Sequence, residues 1–262
     1  MLCKIRQLLN NHPWQDKIQY FDTIDSTNTF AKTLAAQGVA HGTVILAGSQ
    51  TGGRGRLGRS FSSPKDMGVY LSVILRPGCK PTQLMHLTCA TAVAGCTAIR
   101  NACDIAPQIK WTNDLVLGKR KLGGILTELS VNPKTGLVDW VIVGIGINCC
   151  QSEADFPPEI RDIACSLSLA PQDRAVVAAE LIRQLYGMDC NLLTRKAQIM
   201  AIYRQNCITL GKPVSILRGE QVQHGIALDL DDDGALTVKM DDGNTETFSS
   251  GEVSIRGMYG YL

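Results

Sequence analysis

Gln50-Thr51-Gly52-Gly53-Arg54-Gly55-Arg56-Leu57-Gly58-Arg59-Ser60-Phe61 matches G-x-G-x-x-G at Gly53, Gly55 and Gly58, and the way it is read decides the fold. A dinucleotide fingerprint follows a strand, opens a helix and is answered about 20 residues later by an acidic residue ending a second strand. The first strand is available, because Thr43-Val44-Ile45-Leu46-Ala47 is β-branched and apolar. The next segment, Ser60-Phe61-Ser62-Ser63-Pro64-Lys65-Asp66-Met67-Gly68, is loop by composition, with Pro64 and Gly68 as breakers. No acidic residue ends a second strand at the required distance, and arginines fill spacers where a dinucleotide site has no use for them. The doubly wound fold is therefore rejected. A solvated basic loop is the bland alternative. The sharper one is a loop whose Arg54, Arg56 and Arg59, together with bare backbone N–H groups, crowd onto a polyphosphate beside a second anion.

Outward from this loop the chain reads as α+β. Lys17 to Thr23 suits a short strand, and Asp25-Ser26-Thr27-Asn28 supplies caps for a helix over Thr29 to Ala36. Val69 to Leu75 predicts a strand ended at Pro77-Gly78, and Pro81 to Ala102 a long, almost uncharged and hence buried helix. Ile109-Lys110-Trp111 leads into strands at Leu115–Leu117, Gly123–Leu129 and Val138–Asn148, the last two joined by the turn Asn132-Pro133-Lys134-Thr135-Gly136. Antiparallel hairpins beside separate helices argue for a mixed or antiparallel sheet with flanking helices. Asp173 to Tyr186 is amphipathic, and a further helix runs to Cys207.

After Gly211 the pattern turns to short strands at 213–217, 223–230, 236–240, 245–249 and 253–256, a small barrel-like appendage. The expected division is 1–208 and 209–262. Within the appendage, Asp229-Leu230-Asp231-Asp232-Asp233-Gly234 copies the first half of a calcium loop. Met240 stands where that loop needs its bidentate Glu, and strands flank the segment, so a hairpin turn is expected.

With 262 residues and 45% hydrophobic content the chain can bury a large core. A net charge of +2 gives no support to general nucleic-acid binding. Aromatic content of 5% weighs against an RNA- or partner-binding module built on residues 53–59. No apolar run approaches the roughly 18 residues of a membrane span, and Met1 to Trp14 lacks the apolar core and cleavage site of a signal peptide. Ten cysteines are scattered without a C-x-x-C pair or zinc spacing, as suits buried thiols in a reducing cytoplasm.

Nucleophilic catalysis finds no foothold. The four histidines accompany no G-x-S-x-G elbow, and no P-loop is present. Polar residues gather instead in Lys110-Trp111-Thr112-Asn113-Asp114, in Lys121-Leu122-Gly123-Gly124-Ile125-Leu126-Thr127-Glu128 and in Gly144-Ile145-Gly146-Ile147-Asn148. Singly, Trp111 would be core, Lys121 a solvated charge and the glycines bulges. Their occurrence together with the arginine loop points to a site that works by positioning and electrostatics.

These segments, with Ser26-Thr27-Asn28 and the terminal Gly251-Glu252-Val253-Ser254-Ile255-Arg256, run from residue 26 to 256 in the order seen in bacterial biotin–protein ligases, and the chain resembles that family. The resemblance implies a catalytic domain like that of class II aminoacyl-tRNA synthetases and an SH3-like C-terminal domain. It also implies synthesis of biotinoyl-5′-AMP from biotin and ATP with Mg2+, followed by transfer to a lysine of a biotin carboxyl carrier domain. Ser26, Thr27, Asn28, Gln50 and Gly123 would then meet biotin. Arg54, Gly55, Arg56 and Lys121 would hold its carboxylate and the α-phosphate. Arg59, Phe61, Lys110, Asn113, Asp114, Asn148 and Arg256 would lie around the nucleotide, with Asp114 also facing the carrier lysine; no metal ligands are assigned.

Phe61 stands where many members have Trp, Thr112 where Pro is common, and Leu57 where a basic residue is frequent. Only about twenty-five residues precede Ser26, too few for a winged-helix DNA-binding domain, so no operator binding is expected. A cytoplasmic monomer or weak homodimer is anticipated. A lipoate–protein ligase is the rival within the same fold.

Overall fold

The computed structural model describes residues 1–218, 221–249 and 254–257, the last stretch as backbone alone. Helix α1 spans Leu2–Leu8, strand β1 Ile18–Phe21, α2 Thr27–Ala36, β2 Thr43–Ala47 and β3 Gly68–Leu75. After α3, Leu87–Cys103, come β4 Gln108–Lys110, β5 Asp114–Leu117, β6 Arg120–Val131 and β7 Val138–Asn148. Among the described residues these strands form a seven-stranded sheet in the order β1-β2-β3-β7-β6-β5-β4. β1 and β2 are parallel and every other neighbouring pair is antiparallel. No α-helix lies between the arginine loop and β3, and the strands on either side of the loop, β2 and β3, run antiparallel. Helices α4, Arg174–Asn191, and α5, Lys196–Asn206, lead to a second sheet built from β8 Pro213–Arg218, β9 Gln221–Leu230, β10 Leu236–Met240, β11 Thr245–Phe248 and β12 Ser254–Gly257. This sheet is antiparallel throughout, in the order β11-β10-β9-β8-β12.

The two faces of the large sheet follow from the alternation along β7. Val141, Val143, Ile145 and Ile147 join a core with Ala90 and Ile99 of α3 and Val177 and Leu181 of α4. Burying each such branched side chain contributes about 1.5–3 kcal/mol. On the other face Ile142 packs with Ala31 and Ala35 of α2 and with Ile45 and Ile74. Beyond Ile142 that face carries Gly144 and Gly146. Apolar cover stops there, and a cavity opens on the bare strand.

Several boundaries differ from the sequence expectation for local reasons. α2 begins at Thr27 because Ser26 is its cap, extended at φ −155° and ψ 131°, with its Oγ accepting from Thr29 N–H at 3.4 Å. The single helix expected over 81–102 splits into a 3-10 turn, Pro81–Leu84, and α3. Gln83 closes that turn by accepting from Lys80 N–H at 3.0 Å, and His86 at the junction bonds the Leu192 carbonyl at 2.9 Å. β6 outruns 123–129 at both ends because its start pairs with β5 and its end with β7. Of the segment 229–234, Asp229 and Leu230 still pair within the β9–β10 hairpin and residues 231–234 make the expected turn. Among the described residues no helix is long and apolar enough to cross a membrane.

Candidate active site

Residues opposite each other in antiparallel strands share a face, and this sets the floor of the site. Asp114 of β5 lies opposite Gly124 of β6, Gly124 opposite Gly146 of β7, and Gly146 opposite Tyr70 of β3. The next row is Leu126, Gly144 and Ser72. A Cβ at Gly144 would stand 2.0 Å from Asn28 Oδ1, and one at Gly146 would stand 2.5 Å from the Phe61 ring. The glycines therefore let one amide and one aromatic ring rest against the strand. Phe61 meets Tyr70 edge-on at 6.4 Å between centroids. Above this floor is a cavity of about 460 Å³.

One end of the cavity is polar and mostly neutral. Gln50 Oε1 accepts from Thr27 N–H at 2.8 Å and from Thr27 Oγ1 at 3.1 Å, while Gln50 Nε2 donates to Ser63 Oγ at 2.8 Å. Ser72 Oγ lies 2.8 Å from Thr27 Oγ1 and 2.7 Å from Asn28 Oδ1. Asn28 Nδ2 donates to the Leu126 carbonyl at 3.2 Å and to Glu128 Oε2 at 3.0 Å. Glu128 is pinned in turn by Lys32, one turn along α2, at 2.9 Å. Burial pushes the Glu128 carboxyl up, but its bonds to Lys32 and Asn28 and the nearby Arg54 hold it below its ordinary value on balance. Ser26 lines the same end. The amides here are fixed before any ligand arrives.

The other end is cationic. The arginine loop folds back as a small hairpin: Phe61 N–H bonds the Gly53 carbonyl at 2.9 Å and Gly55 N–H the Arg59 carbonyl at 2.7 Å. Its tip turns through Leu57 and Gly58, both at positive φ, and leaves Leu57 exposed. Arg56 reaches from the hairpin to Thr112 Oγ1 at 3.2 Å and Asn113 Oδ1 at 3.1 Å. Asn113 is held by the Ile125 carbonyl, to which its Nδ2 donates at 3.1 Å. Burial pushes the Arg56 guanidinium down from its ordinary value and the Asp114 charge opposes that; an arginine stays cationic throughout. Lys121 Nζ lies 2.5 Å from Asp114 Oδ1. The register slips between Leu115 and Val116, so that Lys121 falls opposite Val116, two residues from cavity-facing Asp114. This bulge re-aims the lysine into the site. Lys110 is buried at the same end, beside Trp111.

Of the residues singled out in the sequence, Ser26, Thr27, Asn28, Gln50, Arg54, Gly55, Arg56, Arg59, Phe61, Lys110, Asn113, Asp114 and Lys121 line this one cavity. Gly123 and Asn148 are not among its lining residues. Gly123 packs against the Gly146 carbonyl, which a Cβ there would meet at 2.5 Å. Asn148 donates to the Cys165 carbonyl at 3.0 Å and accepts from Gln151 at 3.2 Å, tying the 148–166 segment to the end of β7. The strand carrying Arg256 is present beside β8, but the side chain of Arg256, like Gly251, Glu252 and Val253, lies outside the described residues. Sequence reasoning missed Glu128 as the anchor of Asn28, although alternation from Gly124 through Leu126 puts it on the cavity face. It also left out Tyr70, and it quoted Trp111 and Ser60 within their segments without giving them a ligand; all three line the cavity.

A cavity with preset neutral amides at one end and clustered cations at the other suits a protein that brings a small polar molecule up to an anionic one. Residues 20–148 match the Biotin/lipoate A/B protein ligase family, and residues 209–256 match the Biotin protein ligase C terminal domain. The chain is 34% identical over 235 residues to the Bifunctional ligase/repressor BirA of Bacillus subtilis, covering 88% of this chain and 72% of that protein. It is 32% identical over 234 residues to the Biotin--[acetyl-CoA-carboxylase] ligase of Mycobacterium tuberculosis, covering 87% of this chain and 85% of that one. Among solved structures, a biotin protein ligase from Aquifex aeolicus in complex with biotin and ATP superposes with a TM-score of 0.75 at 29% identity, covering 92% of this chain and 98% of that chain. The chain belongs to the biotin protein ligase family.

Proposed function

We propose that this chain joins biotin to ATP, giving biotinoyl-5′-AMP and pyrophosphate, and then passes the biotinoyl group to a lysine of a biotin carboxyl carrier domain, releasing AMP. The observation that carries the proposal is the polarity of the cavity. The neutral amides around Ser26, Thr27, Asn28 and Gln50 suit a ureido ring. The cationic end suits a carboxylate facing a triphosphate.

In the first step a biotin carboxylate oxygen attacks the α-phosphorus and pyrophosphate leaves. Like-charge repulsion opposes this approach. Arg54, Arg56 and Lys121 offset it, and charge-assisted bonds from planar guanidinium groups hold both anions in register. Magnesium enters on the phosphates as part of the substrate. Among the described residues no three metal-ligating side chains gather to hold a resident ion. Phe61 offers an aromatic face for the nucleotide beside Gly146 and Gly124. The hairpin of residues 53–61 lies over the mixed anhydride and shields it from water. In the second step the carrier lysine, once deprotonated, attacks the acyl carbon, and AMP departs. Asp114 orients that amine and takes its proton.

The division into residues 1–208 and 209–262, with an SH3-like second unit, belongs to the same proposal. So does a cytoplasmic location, which the ten free thiols of the structure support. Incubation with biotin, MgATP and a carrier domain, read by mass spectrometry, is expected to add one biotinoyl group to the carrier. No mass gain with biotin, or a gain with lipoate alone, overturns the proposal.

A further inference from the structure

The segment Asp229-Leu230-Asp231-Asp232-Asp233-Gly234, with its likeness to a calcium loop, has its carboxylates engaged within the protein. Asp231 Oδ1 accepts from the backbone N–H groups of Asp233 at 2.9 Å and Ala235 at 2.8 Å, which folds the turn. Asp232 pairs with Arg204 of α5 at 2.7 Å, Asp229 lies 3.7 Å from the same arginine, and Asp233 pairs with Lys196. Arg204 also donates to the Leu230 carbonyl at 2.8 Å. The acidic turn is thereby docked on α5.

The docked turn ends against the wall of the cavity. The Gly234 carbonyl accepts from Trp111 Nε1–H at 2.9 Å. Gly234 sits at φ +84°, and a Cβ there would meet Cys89 Sγ at 2.8 Å, so only glycine brings the carbonyl this close. Two further contacts grip the same wall from behind. Thr209 Oγ1 accepts from Trp111 N–H at 2.9 Å, and fully buried Tyr203 of α5 donates to the Thr112 carbonyl at 3.0 Å. Thr112 is in turn a partner of Arg56.

We propose that the turn Asp231–Gly234 is a positioning element for the nucleotide side of the site: through the Gly234 carbonyl it fixes the Trp111 ring, and with it the Lys110–Asp114 wall on which Arg56 rests. This inference rests on the biotin–ATP reading of the cavity. Trp111 touches the ligand space, and the turn acts through it. The charges of Asp232 and Asp233 hold the turn to α5, while Asp231 contributes hydrogen-bond acceptance, which an amide can replace.

The test compares Asp231→Ala, Asp231→Asn and Trp111→Phe in full-length protein, with KM for MgATP, KM for biotin and kcat measured separately by pyrophosphate release. Asp231→Ala loses two hydrogen bonds that fold the turn and Trp111→Phe loses the one to the Gly234 carbonyl; each predicts a rise in KM for MgATP of about five-fold, and Asp231→Ala leaves KM for biotin and kcat within about two-fold. Asp231→Asn is expected to restore wild-type values. Equal change in both KM values, no change in either, or damage by Asp231→Asn equal to that of Asp231→Ala overturns the proposal. If Asp231→Ala does not fold, Asp232→Ala decides by the same readout, since it frees the turn from Arg204 without touching the ligand space. A wild-type protein that releases no pyrophosphate with biotin refutes the functional reading instead, so the two failures are distinguishable.

Discussion

At position 144 a single added carbon has a direct steric consequence, because it would stand 2.0 Å from Asn28 Oδ1. Asn28 is held from three sides, by Ser72, the Leu126 carbonyl and Glu128, so it has nowhere near to move. Gly144→Ala is therefore expected to weaken biotin binding at least about tenfold, near 1.4 kcal/mol, with calorimetric titration as the check. Binding within about two-fold of wild type would show that Asn28 is not part of the biotin end. Arg56 acts at the opposite end, joining the arginine hairpin to Thr112 and Asn113. Arg56→Ala releases that tie and removes a charge from the phosphate side. The expected outcome is escape of the adenylate into the filtrate and labelling of lysines on a bystander protein. Retention equal to wild type removes the role given to Arg56.

Elements add effects no single contact carries. His86 is the residue just before α3, buried, with Nε2 donating to the Leu192 carbonyl and Nδ1 lacking a partner among the described residues. Burial holds this imidazole below its ordinary 6.5, against the opposing pull of its bond to the Leu192 carbonyl. The unfolded chain then binds more protons than the folded one below pH 6.5, so stability is full above that pH and falls as the pH drops towards the folded value. His12 is displaced in the same direction, again chiefly by burial. Melting temperature is expected to decline from about pH 7.5 to about pH 5.5, and His86→Gln should flatten the curve. An unchanged slope in that variant would remove His86 as a source. The two helical departures from the sequence reading also live at this scale. Of the capping residues 25–28 it is Ser26 that caps α2, while Asn28 is turned inward to the sheet, and α3 starts only at Leu87, after His86, whose ring is bonded to the Leu192 carbonyl just beyond α4.

Across the whole molecule, the cysteines divide by burial. Cys89, Cys96 and Cys149 have thiols pushed up to about 12 by burial, whereas Cys3 and Cys190 are exposed. A thiol reagent at neutral pH is expected to modify Cys3 and Cys190 in the native protein and the buried three only on unfolding, which peptide mapping would resolve; prompt native modification of Cys89 would contradict this packing. Much of the molecule was legible in the chain itself. Strand alternation, breakers and caps gave the order of elements, because those signals act within a few residues. The glycine–arginine loop and the polar segments at 110–114 and 121–128 marked the residues that line the cavity. Local pattern stops short of register. The bulge that turns Lys121 towards Asp114 and the parity that puts Glu128 under Asn28 are set by pairing between strands. The inward bonds that draw Asn148 out of the site come from the chain beyond β7. The acidic turn shows the limit most plainly: its sequence determines a tight, carboxylate-rich bend, and only the tertiary structure gives that bend Arg204, Lys196 and Trp111 as partners, because those side chains come from segments far away along the chain.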